Sequence, residues 1–177
     1  MSESVQQNLQ PQLQIQAHPE RSGDALAVAP LAAPLVLFLD FDGVLHPDPC
    51  FNEPEFSSLH LVEAVLANFP SVEIVVSSAW RTYHTLAELR EFLGPTLGPR
   101  IVGLTPDLEL AVVAFPRQTE CETWLRAHRP DSLWIAIDDR DWWFKPNIPN
   151  LLLTDCTVAF RLEHAEPLRK LIEERLS

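Results

Sequence analysis

The chain has 177 residues, 46% of them hydrophobic, and a formal net charge of −12 from 25 acidic against 13 basic side chains. That length suffices for one domain with a sizeable core, and the acidic excess excludes strong non-specific binding to nucleic acid or anionic membrane while leaving room for a local basic pocket. Three cysteines, Cys50, Cys121 and Cys156, have neither metal-ligand spacing nor even pairing and read as reduced thiols.

Residues 1–33 are rich in Gln, Ala and Pro without a sustained period. They predict a mobile tail, with a docking segment as the alternative; a folded domain is expected over 34–177. The opening MSESVQQNLQPQLQIQ has no basic n-region, so no secretory signal is expected. The apolar-rich stretch 25–39 is interrupted by Pro30 and Pro34, too short and broken for a membrane span. A soluble, cytoplasmic protein is expected.

The apolar run at 35–39 enters Asp40-Phe41-Asp42-Gly43. Such a run fits a strand buried on both faces, as in a parallel sheet. Residues 43–56 hold Pro47, Pro49 and Pro54 and predict a loop or small flap. Leu59, Val62, Leu66 and Phe69 keep helical spacing over 58–68, with Ser57 or Ser58 placed to cap the helix. VEIVVS at 72–77 is the second strand. Thr85 and Glu88 form a capping-box pattern for a helix over 85–93, which Gly94-Pro95 is expected to end. A short strand follows at 100–104, then a loop with Pro106 and Pro116. The next helix spans 118–128, with Trp124 and Leu125 inward and Pro130 closing it. LWIAI at 133–137 is the fourth strand, running into Asp138-Asp139, and 151–154 is the fifth. Pro167 suits the first turn of a last helix ending near Leu176. The β-α-β rhythm predicts an α/β fold, with a mainly parallel sheet between two helical layers in a Rossmann-like three-layer sandwich.

In such sheets ligands bind beyond the carboxyl ends of the strands. Asp40 and Asp42, two positions apart at a strand end, can point the same way, and Gly43 lets the backbone turn after them. The apolar strand followed by Asp-x-Asp-Gly-Val resembles the first motif of the haloacid dehalogenase (HAD) superfamily. Asp138-Asp139 after an apolar strand resembles its fourth motif, and Ser77 at a strand end fits its second. The run 75–81, with Arg117, Glu120, Trp124-Leu125 and 153–155, is similar to a small bacterial subgroup of HAD proteins. Relatives of that subgroup occur in multidomain proteins proposed to act in RNA repair. The family pattern near Asp155 often continues into Gly, where this chain has Cys156, so no role is carried over to Asp155.

The resemblance implies a magnesium-dependent phosphatase. Asp40 would be the nucleophile and Asp42 the general acid, then the general base. Ser77 would bind a phosphoryl oxygen, with Ser78 beside it, and Gly43, Trp80 and Arg81 are expected to contact substrate. Asp40, Asp42, Asp138 and Asp139 are expected to hold Mg2+, Asp139 more directly than Asp138. For the third-motif cation, Arg117 is preferred to Lys145, one of two lysines in the chain.

Neither the flap nor the loop before Arg117 has room for a separate cap domain, so a minimal cap and an open site are expected. An open site suits a phosphate on a larger molecule, or closure by an oligomer. Trp80, Tyr83, Trp142 and Trp143 near the mouth point to a nucleotide or nucleic-acid end, with stacking; core packing is the commoner use of Trp. The alternatives are a small-metabolite phosphatase, a phosphotransferase, and a catalytically weak HAD fold used for binding or regulation. Retention of Asp42 argues against the last. The residues do not determine the oligomeric state.

Overall fold

The structure is a computed structural model and describes residues 34–108 and 113–177. The tail expected over 1–33 lies outside the described residues.

Five short strands make one parallel sheet: β1 Val36–Leu39, β2 Glu73–Val76, β3 Ile101–Leu104, β4 Trp134–Asp138 and β5 Leu151–Leu153. Their order is β3-β2-β1-β4-β5. β1 is the central strand, pairing with β2 on one side (Leu39 opposite Val76) and β4 on the other (Leu39 opposite Ile137). All four β1 side chains are buried, because each face of the strand meets a different layer.

The layers follow the period-two alternation. Leu35, Leu37 and Leu39 join Ile74, Val76, Ile135 and Ile137 in the larger core. Helices α1 Leu59–Leu66, α2 Leu86–Phe92 and α5 Ala165–Leu176 cover it through Val62, Leu66, Leu89, Leu168 and Ile172. Val36, Phe38, Val75 and Ala136 face the other way, onto Cys121, Trp124 and Leu125 of helix α4 Pro116–His128. Phe144, in the segment joining β4 to β5, completes this second core. The result is a Rossmann-like α/β/α sandwich, with one long helix and a connecting segment on one face.

As expected, α2 ends before Gly94, which takes φ +66; Gly94–Leu97 then forms a separate turn, α3, with Pro95 at its start, where a missing N–H costs nothing. Two local expectations change. Neither serine caps α1. The Ser58 hydroxyl is buried without a partner, and Ser57 donates to Glu53 instead. The Thr85–Glu88 capping box of α2 is formed in both directions. Helix α4 starts at Pro116, two residues earlier than expected, which puts Arg117 in its first turn.

Candidate active site

β1 stops at Asp40 because the next residues fold back on themselves. The N–H groups of Val44 and Leu45 both donate to the Phe41 carbonyl, and the Gly43 N–H donates to that of His46. Gly43 has φ +70, and a Cβ there would lie 2.6 Å from Asp139 Oδ2. Only glycine allows both this turn and this approach. The Thr154 hydroxyl donates to the Gly43 carbonyl at 2.8 Å, tying β5 to the turn. Gly43 therefore shapes the site, its own N–H being taken up within the turn.

Asp40, Asp138 and Asp139, from the adjacent ends of β1 and β4, each offer a carboxylate oxygen within 4.8 Å of the others. Asp40 and Asp138 are buried. Asp40 Oδ1 accepts the Phe41 N–H at 2.8 Å, and the nearby Ser78 side chain favours its charged form. Asp138 Oδ1 accepts the Arg140 N–H at 2.9 Å. Asp138 Oδ2 and Asp139 Oδ1 are buried and have no hydrogen-bond partner.

Three crowded carboxyls resist ionisation. Burial raises Asp40 above its ordinary range, opposed chiefly by Arg117. Burial and the Asp40 charge push Asp138 well above it. The same two causes raise Asp139 to about 6. A hard divalent cation would relieve all three and supply the orphaned oxygens with a partner. An all-oxygen donor set of this kind fits Mg2+.

Arg117 is the neighbouring cation. It is 4% exposed, with Nε 3.5 Å from Asp138 Oδ2 and Nη1 2.8 Å from Glu120 Oε2. Burial disfavours its charge, but Asp40, Asp138 and Glu120 outweigh that and raise it above the ordinary guanidinium range. The Lys145 ammonium lies elsewhere, exposed and 3.9 Å from Glu122. A cleft of about 240 Å³ opens beside Arg117, walled by Ala79, Arg81, Thr82, Pro116 and Trp143 among others.

Asp42 does not join the carboxylate cluster. Its Oδ1 accepts from His46 Nε2 at 3.1 Å and from Trp80 Nε1 at 2.9 Å. The His46 hydrogen bond is the main cause of an Asp42 carboxyl held below its ordinary range, with Trp80 adding to it against burial.

Two expected substrate contacts are otherwise engaged. Trp80 is bonded to Asp42, with one face stacked on His84 at 5.2 Å and Phe56, Phe41 and Phe92 packed around it, and is half-buried. Arg81 donates to the carbonyls of Ser77, Ser78 and Thr105 and pairs with Glu120 at 2.8 Å. It braces the ends of β2 and β3 against α4. Ser77 and Ser78 are both buried at the end of β2, where the Ser78 hydroxyl accepts the Trp80 N–H at 3.4 Å and lies near enough to Asp40 to favour its charged form.

Residues 36–165 match the family described as the HAD domain in Swiss Army Knife RNA repair proteins. The chain belongs to this family. The match spans the whole parallel sheet and every residue of the HAD site described above. The curated proteins hold no match to the chain, and neither do the solved structures.

Sequence reasoning missed two residues of this HAD site. His46 follows Asp42 by four positions, the one available signal, but its burial depends on the flap folding back. Glu120 stands out in the sequence only as a subgroup feature; the structure sets it between Arg81 and Arg117. Asp155 accepts from its own loop at Thr157 and stands outside the cluster. Among the described residues, no helix is long and apolar enough to cross a membrane.

Proposed function

We propose that the protein is a magnesium-dependent phosphatase that works through an aspartyl-phosphate on Asp40. The observation that carries this reading is the cluster of Asp40, Asp138 and Asp139, two of whose oxygens are buried with no hydrogen-bond partner and only long ion pairs, Asp138 Oδ2 to Arg117 at 3.5 Å and Asp139 Oδ1 to Arg140 at 3.6 Å. A carboxylate nucleophile, a hard cation site and a fixed positive group are the parts phosphoryl transfer requires. Mg2+ would be held by Asp40, Asp138 and Asp139 and would offset the charge of the substrate phosphate.

The chain's own groups then divide the work. An Asp40 oxygen attacks phosphorus, the ester P–O bond breaks, and the departing oxygen takes a proton from the Asp42 carboxyl. In the second step water attacks the phosphorus of the aspartyl-phosphate and loses a proton to Asp42. The bond from phosphorus to Asp40 breaks, and phosphate leaves. Donors on Asp42 Oδ1 favour the carboxylate form needed for the second step. An incoming phosphate dianion raises the proton affinity needed for the first. Ser78 and Arg117 lie against Asp40 and Asp138, the position for binding phosphoryl oxygens.

The substrate class we favour is a phosphate on a nucleotide or a nucleic-acid end. Support comes from the RNA repair proteins that carry this domain and from two aromatics on strand-end loops, Tyr83 and Trp142, which are 82% and 66% exposed. The net charge of −12 limits affinity to the terminal nucleotides.

The test is hydrolysis of an aryl phosphate with and without Mg2+, in the native protein and in Asp40→Asn. Activity should require the metal and disappear in a folded Asp40→Asn variant. Phosphate should be found on Asp40 by mass spectrometry of the quenched reaction. Full activity in Asp40→Asn overturns the mechanism.

A further inference from the structure

We propose that His46 is a positioning residue for Asp42: with Trp80 it ties down one carboxylate oxygen and leaves the other to exchange the proton. The proposal rests on the aspartyl-phosphate reading above.

Three observations converge on it. First, Asp42 Oδ1 takes both donors, His46 Nε2 and Trp80 Nε1, at 3.1 and 2.9 Å. An indole N–H can only donate, so Oδ1 must be the accepting oxygen. The proton that Asp42 gives or takes is thereby confined to Oδ2.

Second, the histidine tautomer is set by the backbone. The Phe56 N–H donates to His46 Nδ1 at 3.3 Å, so that nitrogen is bare and the ring proton sits on Nε2, facing Asp42. Phe56 adopts φ +60 to make this bond, a conformation that bulky side chains take only when their surroundings hold them there.

Third, the surroundings do hold it. His46 is 3% exposed. Its ring meets Phe56 and Trp80 edge-on, at 5.4 and 5.9 Å, and Phe56 meets Trp80 at 5.3 Å. An aspartate side chain has two free torsions. Without these partners, Asp42 could turn toward the carboxylate cluster two residues away or out to solvent, and in either place it would no longer face the ester oxygen. Proton transfer requires that orientation before it requires any proton affinity.

The experiment measures phospho-enzyme formation in single turnovers, with an aryl phosphate, whose leaving group departs unaided, and an alkyl phosphate, whose leaving group needs a proton. His46→Phe keeps the ring and removes both hydrogen bonds; His46→Gln returns a donor near Nε2. If His46 acts through Asp42, His46→Phe should slow the alkyl phosphate by about tenfold or more, part of the 10²–10⁴-fold range for general acid catalysis. It should change the aryl phosphate much less and leave KM unaltered, and His46→Gln should restore most of the loss. In an Asp42→Asn background, His46→Phe should have no further effect. Equal losses on the two substrates, or an undiminished effect in Asp42→Asn, overturn the proposal. Should His46→Phe fail to fold, Trp80→Phe removes the second donor and should give the same selective loss. An Asp42→Asn variant that loses equally on both substrates sinks the assignment of Asp42 itself, and this inference with it.

Discussion

Arg117 and Glu120, one helical turn apart, form a 2.8 Å ion pair inside the protein, with side chains 5% and 7% exposed. The pairing turns the Arg117 guanidinium so that its Nε faces Asp138 at 3.5 Å. Glu120 is in turn held by Arg81. The result is a chain of alternating charges from the sheet edge to the carboxylate cluster. An arginine can serve two acids at once because its donors form a planar fork; a lysine ammonium is a single point.

Arg117→Lys should therefore lose most activity although the charge is kept. Arg117→Ala should also cost stability, about 3 kcal/mol by the usual loss for one partner of a buried pair, read from urea denaturation midpoints. Lys145→Ala should leave turnover unchanged and shift stability by no more than about 0.5 kcal/mol. Activity lost in Lys145→Ala but kept in Arg117→Lys would reverse the assignment.

The raised carboxyl of Asp139 has a defined sign. Its folded value of about 6 lies above the ordinary 3.8, so the protonated form is favoured by folding. That contribution is present in full below about pH 4 and is lost as pH rises through about 6. Asp139→Asn should then stabilise the metal-free protein at pH 7.5 more than at pH 4, by about 1–2 kcal/mol after allowing for solvent screening. Mg2+ should raise the melting temperature of the native protein more at pH 7.5 than at pH 5, and Asp139→Asn should abolish most of that gain. A Mg2+ shift that is the same at both pH values would count against a site built on Asp139.

Gly43→Ala introduces a Cβ 2.6 Å from Asp139 Oδ2 at a position with φ +70. Either the turn or the carboxylate must move. Activity should fall more than stability, which should drop by about 1–2 kcal/mol. Near-native turnover in Gly43→Ala would mean that Asp139 need not keep its place.

Tyr83 and Trp142 are exposed aromatics on the loops that follow β2 and β4. If either stacks a base, its replacement by Ala should lower kcat/KM for a phosphorylated oligonucleotide by an amount worth about 1–3 kcal/mol. Turnover of a hexose phosphate should stay as it was. Equal effects on both substrates, or none, would favour a small-molecule phosphatase.

What the sequence determined by itself was the scaffold and the acids at its edge. The unbroken apolar run into Asp40 fits a strand covered on both faces, and a similar run precedes Asp138. Five strands with helical segments between the first four point to a parallel sheet, while the order that sets β1 beside β4 comes from the tertiary structure. The Thr85–Glu88 box was equally plain, because both partners lie within one turn. Tertiary structure decided what the polar side chains around those acids do. Trp80 and Asp42 are 38 positions apart, and Arg81 reaches Thr105 and Glu120 across two connections, so neither pairing has a local pattern. A polar or aromatic side chain near a motif looks the same in sequence whether its donors are free or taken. Helix α4 beginning at Pro116 turns Arg117 inward toward Asp138, while Lys145 stays exposed beside Glu122, a difference of direction that the sequence does not show. Direction is a property of packing, and packing depends on contacts that a single chain of letters does not place next to one another.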